Sequence, residues 1–212
     1  MQEAAKLVAR HLLSTGAVFL RPDDPFTWAS GIKSPIYCDN RLILTAPEAR
    51  ADIARCLAEM IKEKYPKTEV LMGTSTAGIP HAAIAAHLMG LPMGYVRSAT
   101  KDHGRGNRIE GKLDKGEKAV VVEDLISTAG SAVDTALALR EAGAEVLGLA
   151  SIFSYGMRKA DDRLSQNGLT CYSICTLDTL VDVAAELGVI APDDRGRILR
   201  FRDNPDDPGW RN

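Results

Sequence analysis

Val120-Val121-Val122-Glu123-Asp124-Leu125-Ile126-Ser127-Thr128-Ala129-Gly130-Ser131 is the stretch that decides the fold. Its β-branched run reads as a strand covered on both faces, as in a parallel sheet. Two adjacent carboxylates follow, then hydroxyls and small residues, then a helical pattern from about Ala129 to Ala142. In such a strand–loop–helix unit the ligand binds at the carboxyl end of the strand. The bare N–H groups of a helix N-terminus favour phosphate, and Thr128, Gly130 and Ser131 permit close approach while adding hydroxyl donors. Two acids beside that cradle would repel phosphate unless they had another task. Hydrogen bonding to sugar hydroxyls, or holding a divalent cation through water, supplies one. A phosphorylated ribose suits both halves. The acids also suit a helix cap that offsets the dipole, and spacing alone leaves that reading standing. A dinucleotide crossover fits poorly, because Gly130 is the loop's single glycine and no Gly-x-Gly-x-x-Gly is present.

Outward from this unit the chain alternates. Strands are expected at Glu69–Gly73, Met93–Arg97, Lys118–Glu123, Glu145–Phe153 and Cys171–Thr176. Helices are expected at 2–14, Pro47 to about Lys64, Ile79–Met89, Ala129–Ala142 and Asp178–Leu187. The pattern predicts an α/β fold with a central parallel sheet of about five strands flanked by helices. Residues 16–45 form an irregular stretch, 101–115 a polar Gly-rich excursion, and 192–212 a charged, Pro-containing tail with a short helix. One domain is expected over 1–212: a hood over about 1–45, a core over about 46–190, and a C-terminal tail over about 191–212.

Composition narrows the classes. With 45% hydrophobic and 25% charged residues the chain reads as an ordinary globular protein. A net charge of −2 gives no overall basic field and so no argument for nucleic-acid binding, and no nucleic acid is expected as a partner. Residues 1–15 lack the features of a secretory signal, and no apolar run approaches the roughly 20 residues that span a bilayer. No membrane association is expected, and the cytoplasm is the expected compartment. Cys38, Cys56, Cys171 and Cys175 form no Cys-x-x-Cys pair and read as packing residues.

Three further segments bear on the substrate. Gly73-Thr74-Ser75-Thr76-Ala77-Gly78-Ile79-Pro80 is a second strand-to-helix loop, suited to another anionic group or to a simple capped turn. Tyr95 to Gly104 leaves a strand and enters the polar excursion, where Gly104, Gly106 and Gly111 suit a lid carrying Arg97, Lys101 and His103. A solvated charged loop is the plainer alternative. Phe26-Thr27-Trp28 through Asp39 could cover a flat ring, or pack the N-terminal helix.

Glu123 through Ser131 resembles the phosphoribosyl-pyrophosphate signature of type I phosphoribosyltransferases. With the other three segments, in this order, the chain resembles the orotate phosphoribosyltransferases over nearly all of residues 1–185. The resemblance implies that Glu123 and Asp124 bind the ribose hydroxyls while Leu125, Ile126, Ser127, Thr128, Ala129, Gly130 and Ser131 wrap the 5-phosphate. It places the pyrophosphate at Thr74, Ser75 and Thr76, and orotate against Ser127 and Lys33. Arg97, Lys101 and His103 are the implied catalytic residues, with the lid reaching into a neighbouring subunit of a homodimer. Mg²⁺ is the implied cofactor, held by substrate oxygens and water, with no all-protein metal cage. Departures are Ala129 for Thr or Gly, Ala77 and Ala29 for Lys in some relatives, and Ser98 for Lys in many. A phosphoribosyltransferase for another base is the alternative enzyme; a phosphoribosyl-pyrophosphate-sensing regulator is the alternative from another class.

Lys101→Ala is expected to lower turnover about 100- to 1000-fold without unfolding the chain. Mixing Lys101→Ala with Asp124→Ala subunits is expected to restore part of the activity, because one composite site would be intact. Steady-state assays across mixing ratios, with subunit exchange verified, measure both.

Overall fold

The computed structural model describes residues 2–28, 31–98 and 108–211. In chain order the elements are α1 (Gln2–Ser14), β1 (Val18–Leu20), β2 (Phe26–Thr27), β3 (Lys33–Ser34), β4 (Ile36–Cys38), a 3-10 helix (Asn40–Thr45), α2 (Pro47–Lys64), β5 (Val70–Thr74) and α3 (Gly78–Met89). There follow β6 (Met93–Val96), β7 (Ile109–Glu110), β8 (Lys118–Ile126), α4 (Gly130–Glu141), β9 (Glu145–Ser154) and α5 (Arg158–Gln166). The chain closes with β10 (Cys171–Thr176), α6 (Leu177–Glu186), α7 (Asp194–Asp203) and a 3-10 helix (Pro208–Arg211).

The central sheet has the order β10-β9-β8-β5-β6-β7. Five of these strands run parallel, as the alternating pattern predicts, and β7 is added antiparallel to β6. That sixth strand pairs Tyr95 with Glu110 and Val96 with Ile109. Two residues inside a polar, Gly-rich run carry no readable period, so nothing in the sequence marks them.

Two other elements differ from expectation. Strand β8 does not end at the acids: it continues to Ile126, pairing Glu123 with Ser151 and Leu125 with Phe153 on β9. Helix α5 was not anticipated, because Arg158–Gln166 is polar except for Ala160 and Leu164, one turn apart. Those two side chains are buried, and they seat the helix.

Alternation along β8 splits the core. Val120 and Val122 face the cluster built with α1, α2, α3 and α6, including Leu12, Leu57, Ala82 and Leu180. Ala119 and Val121 face the cluster built with α4 and α5, including Ala132, Leu139 and Leu164. By the same period of two, Glu123 belongs to the α4 side and Asp124 to the α3 side.

The segment before α2 forms two small antiparallel pairs, β1 with β4 and β2 with β3. The C-terminal elements pack onto it. Trp28 lies 5.8 Å from the Tyr155 ring and 5.5 Å from the Phe201 ring, and Phe201 lies 5.6 Å from Trp210. Arg197 of α7 donates to the Pro22 carbonyl at 3.0 Å and pairs with Asp23 at 2.7 Å. The last 3-10 helix is thus fastened by Trp210, which is 2% exposed.

Trp210→Ala should cost about 3 kcal/mol, the usual range for removing a buried aromatic ring. Denaturant titration should show a lower midpoint with little change in slope.

Candidate functional site

Strands β5 and β8 are neighbours, and both end at the same edge of the sheet. The loop after each feeds a helix, α3 from Gly78 and α4 from Gly130. Both sequence-predicted anion loops therefore lie side by side. Gly78 is required here: a Cβ would meet Thr74 Oγ1 and the Val122 carbonyl.

Glu123 joins the two loops. Its side chain is 5% exposed. Thr74 Oγ1 donates to its Oε1 at 2.5 Å, the Asp124 N–H donates to the same oxygen at 3.1 Å, and Ser131 Oγ donates to Oε2 at 2.9 Å. A buried carboxylate is tolerated only when its oxygens are satisfied, and three donors from three chain segments do so here. Of the second loop, Thr74 and Ser75 spend their hydroxyls on protein, Ser75 donating to the Val96 carbonyl at 2.7 Å. Thr76 is exposed, and the Ser75-Thr76 peptide bond is cis.

Asp124 faces the other side. Its carbonyl accepts from Asn40 Nδ2 at 2.7 Å, and Asn40 Oδ1 accepts from Cys38 Sγ at 3.2 Å. Asn40 is wholly buried, so the end of the hood is anchored on the residue that carries the second acid. Burial, reinforced by the negative charge of Glu123, pushes the Asp124 carboxyl up to about 7. His81 of α3 bears on the same carboxylate; its own pKa is lowered by burial and its Nε2 has no partner among the described residues. Neither Asn40 nor His81 was singled out from sequence. His81 had a faint signal, as the first polar side chain after Thr76 in a helix whose other polar side chain is His87.

The β8–α4 loop holds Ser127 and Thr128 half-buried, Ala129 buried and Ser131 exposed, while Leu125 and Ile126 pack against the two core clusters. Ala129 has φ 58° and ψ 17°, the left-handed region. A Cβ costs about 1 kcal/mol there.

Beside Thr128 opens a cleft of about 530 Å³, lined by Trp28, Ile32, Met157, Arg158, Arg163 and Arg202 among others. Lys33 is not part of this lining. It donates to Thr27 Oγ1 at 2.5 Å and lines a second cleft with Pro208 and Trp210. Arg97 lies 3.4 Å from Glu110 of β7, and its Nε and Nη2 make no hydrogen bond among the described residues. Lys101 and His103 lie outside the described residues, as does Ala29. Among the described residues no group of three or more His, Cys, Asp or Glu side chains could hold a metal. No helix among them is long and apolar enough to cross a membrane.

The family model for the phosphoribosyl transferase domain matches residues 41–173. A relative named orotate phosphoribosyltransferase, from Bacillus subtilis, is 52% identical over 205 residues, covering 97% of this chain and 95% of its own. The chain belongs to the orotate phosphoribosyltransferase family. A solved orotate phosphoribosyltransferase from Aeropyrum pernix is 29% identical with a TM-score of 0.74, covering 87% of this chain and 99% of its own. Another, from Mycobacterium tuberculosis in complex with 5-phospho-α-D-ribosyl 1-diphosphate, is 26% identical with a TM-score of 0.63 over 86% of this chain and 98% of its own. The fold is the type I phosphoribosyltransferase fold, with its central sheet extended by antiparallel β7.

A carboxyl that titrates near 7 when folded, against an ordinary 3.8, holds its proton longer in the folded chain. Its contribution to stability is therefore complete in acid, declines as pH rises from about 4, and becomes a full penalty above about 7. Asp124→Asn should raise stability at pH 8 by on the order of 2 kcal/mol and change it little at pH 4. Thermal melts of both proteins across this range give the difference.

Proposed function

We propose that the chain transfers the 5-phosphoribosyl group of phosphoribosyl pyrophosphate to orotate, giving orotidine 5-phosphate and pyrophosphate on the way to UMP. One observation carries this reading: Glu123 ties the Thr74 loop to the N-terminus of α4. Two anion-binding loops held at a fixed separation, with acids between them, suit a sugar with phosphate at one end and pyrophosphate at the other.

In this reading the 5-phosphate sits on Ser127, Thr128, Ala129, Gly130 and Ser131. The ribose hydroxyls meet Asp124 and Glu123, and the pyrophosphate meets the turn at Thr74, Ser75 and Thr76. Orotate occupies the end of the cleft beside Ser127 and Thr128, under Trp28 and Ile32. Lys33 reaches it only by leaving Thr27. Orotate N1 forms a bond to the anomeric carbon as the bond to pyrophosphate oxygen breaks; the electron pair leaves with pyrophosphate, and the N1 proton passes to water or to the departing pyrophosphate. The transition state has oxocarbenium character, as in other glycosyl transfers. Arg97, Lys101 and His103 supply positive charge to the departing oxygens, and His103 can give a proton to one of them. Arg97 must exchange Glu110 for that anion.

Mg²⁺ would be held beside Asp124 through pyrophosphate or ribose oxygens and water, and would supply charge stabilisation to the leaving group. The residues fit such an ion. Two acids placed so that one is pushed up to about 7 leave a site where a cation favours ionisation. A homodimer with shared active sites is part of the proposal, as is a cytoplasmic location. The exposed Phe19, Tyr37 and Leu42 of the hood offer an apolar surface for pairing.

Orotate absorbance should fall only when phosphoribosyl pyrophosphate and Mg²⁺ are both present, with pyrophosphate released in equal amount, and chelation should abolish the change. Turnover of adenine or hypoxanthine in place of orotate would identify another base as the substrate.

A further inference from the structure

We infer that Arg163 of α5 positions the 5-phosphate loop, fixing one peptide plane and setting an unshared positive charge behind the loop for a phosphate monoester. The inference rests on reading Ser127–Ser131 as the 5-phosphate loop.

Arg163 Nη1 donates to the Thr128 carbonyl at 3.2 Å. In a trans peptide the C=O and the following N–H point in opposite directions. Holding the Thr128 oxygen toward α5 therefore turns the Ala129 N–H away from α5, where it can serve an anion. The same bond restrains a loop that has Ala129 in the left-handed region. Nη1 also lies against the first residue of α4: a Cβ on Gly130 would stand 2.7 Å from it. Glycine at 130 thus makes room for the guanidinium.

Charge is the second part. The loop has no basic residue of its own, and Glu123 and Asp124 precede it. A phosphate monoester carries nearly two negative charges near neutral pH. Peptide N–H groups and the dipole of α4 offset part of this. Arg163 adds a full cation within contact of that helix end. No carboxylate among the described residues lies within ion-pair distance of it, unlike Arg202, which pairs with Asp178 at 2.6 Å.

Arg163 is also held in place. Ala160 and Leu164 seat α5 in the core. Asn167 Nδ2 donates to the Arg163 carbonyl at 2.8 Å, and Arg140 of α4 donates to the Asn167 carbonyl at 2.7 Å. The two helices are joined at one end by Arg140 and at the other by Arg163. The bond to the Thr128 carbonyl acts on the phosphate through the loop, so in this role Arg163 is a positioning residue and not a catalytic one.

Binding of ribose 5-phosphate, measured by calorimetry, reads this loop without the base or the pyrophosphate. Arg163→Met should weaken it about tenfold, equivalent to roughly 1.4 kcal/mol, and should flatten its salt dependence. Arg163→Lys should recover part of the affinity. In turnover the Met variant should raise KM for phosphoribosyl pyrophosphate by a similar factor, with a much smaller change in kcat. Gly130→Ala, whose Cβ displaces the guanidinium, should weaken ribose 5-phosphate binding in the wild type but add little in the Met variant. Equal binding by wild type and Arg163→Met overturns the role of Arg163 alone. So does a loss of kcat, both KM values and melting temperature together, unrelieved by Lys, which marks a merely structural residue. Failure of the wild type itself to bind ribose 5-phosphate at millimolar concentration overturns the loop reading and this inference with it.

Discussion

The site depends on one buried carboxylate. Glu123 sits near the end of the central strand, where water is excluded and an unsatisfied charge would cost several kcal/mol. Thr74, Ser131 and the Asp124 N–H remove that cost by hydrogen bonding. In doing so they set the distance between two loops that are 49 residues apart in sequence, as the Thr74–Glu123 bond records. Movement of the α4 loop would take the Ser131 donor from Oε2, and movement of the Thr74 loop would leave Oε1 with the Asp124 N–H alone. The spacing of the two loops is therefore held by a polar network.

The neighbouring acid is in the opposite situation. Asp124 turns toward α3 and the hood, where Asn40 holds its backbone but few donors reach its carboxylate. Its raised pKa follows first from burial, and then from Glu123, which shares a hydrogen bond with it and keeps its charge close by. An acid left in that state is suited to partners that arrive from outside, such as sugar hydroxyls or a hydrated cation. Alternation along one strand thus ties one carboxylate into protein hydrogen bonds and turns the other toward α3 and the hood.

Much of this was legible in the chain. The β-branched run of β8, the Pro47 start of α2 and the paired strand–loop–helix units are local signals, and the structure has those elements close to the expected bounds. Helix α5 escaped because its apolar positions are only Ala160 and Leu164, too few to set a period, and its stability comes from packing on the α4 layer. Strand β7 escaped because two residues gain their hydrogen bonds wholly from β6. Trp210 reads as part of a charged tail, yet its ring packs edge-on against Phe201, which in turn meets Trp28 from the other end of the chain.

The sequence by itself determined the chemistry on offer: adjacent acids, two hydroxyl-rich turns at helix starts, and a parallel sheet to carry them. These are local properties, written in composition and period. Only the tertiary structure decided which groups are spent on the protein and which are left for ligand. Thr74 and Ser131 satisfy Glu123, Lys33 leans on Thr27, and Arg163 closes on the Thr128 carbonyl from a helix that the sequence did not announce. Such assignments depend on which side chain reaches which partner in space, and hydrogen-bond geometry is settled over a few ångströms between residues that may be far apart in the chain.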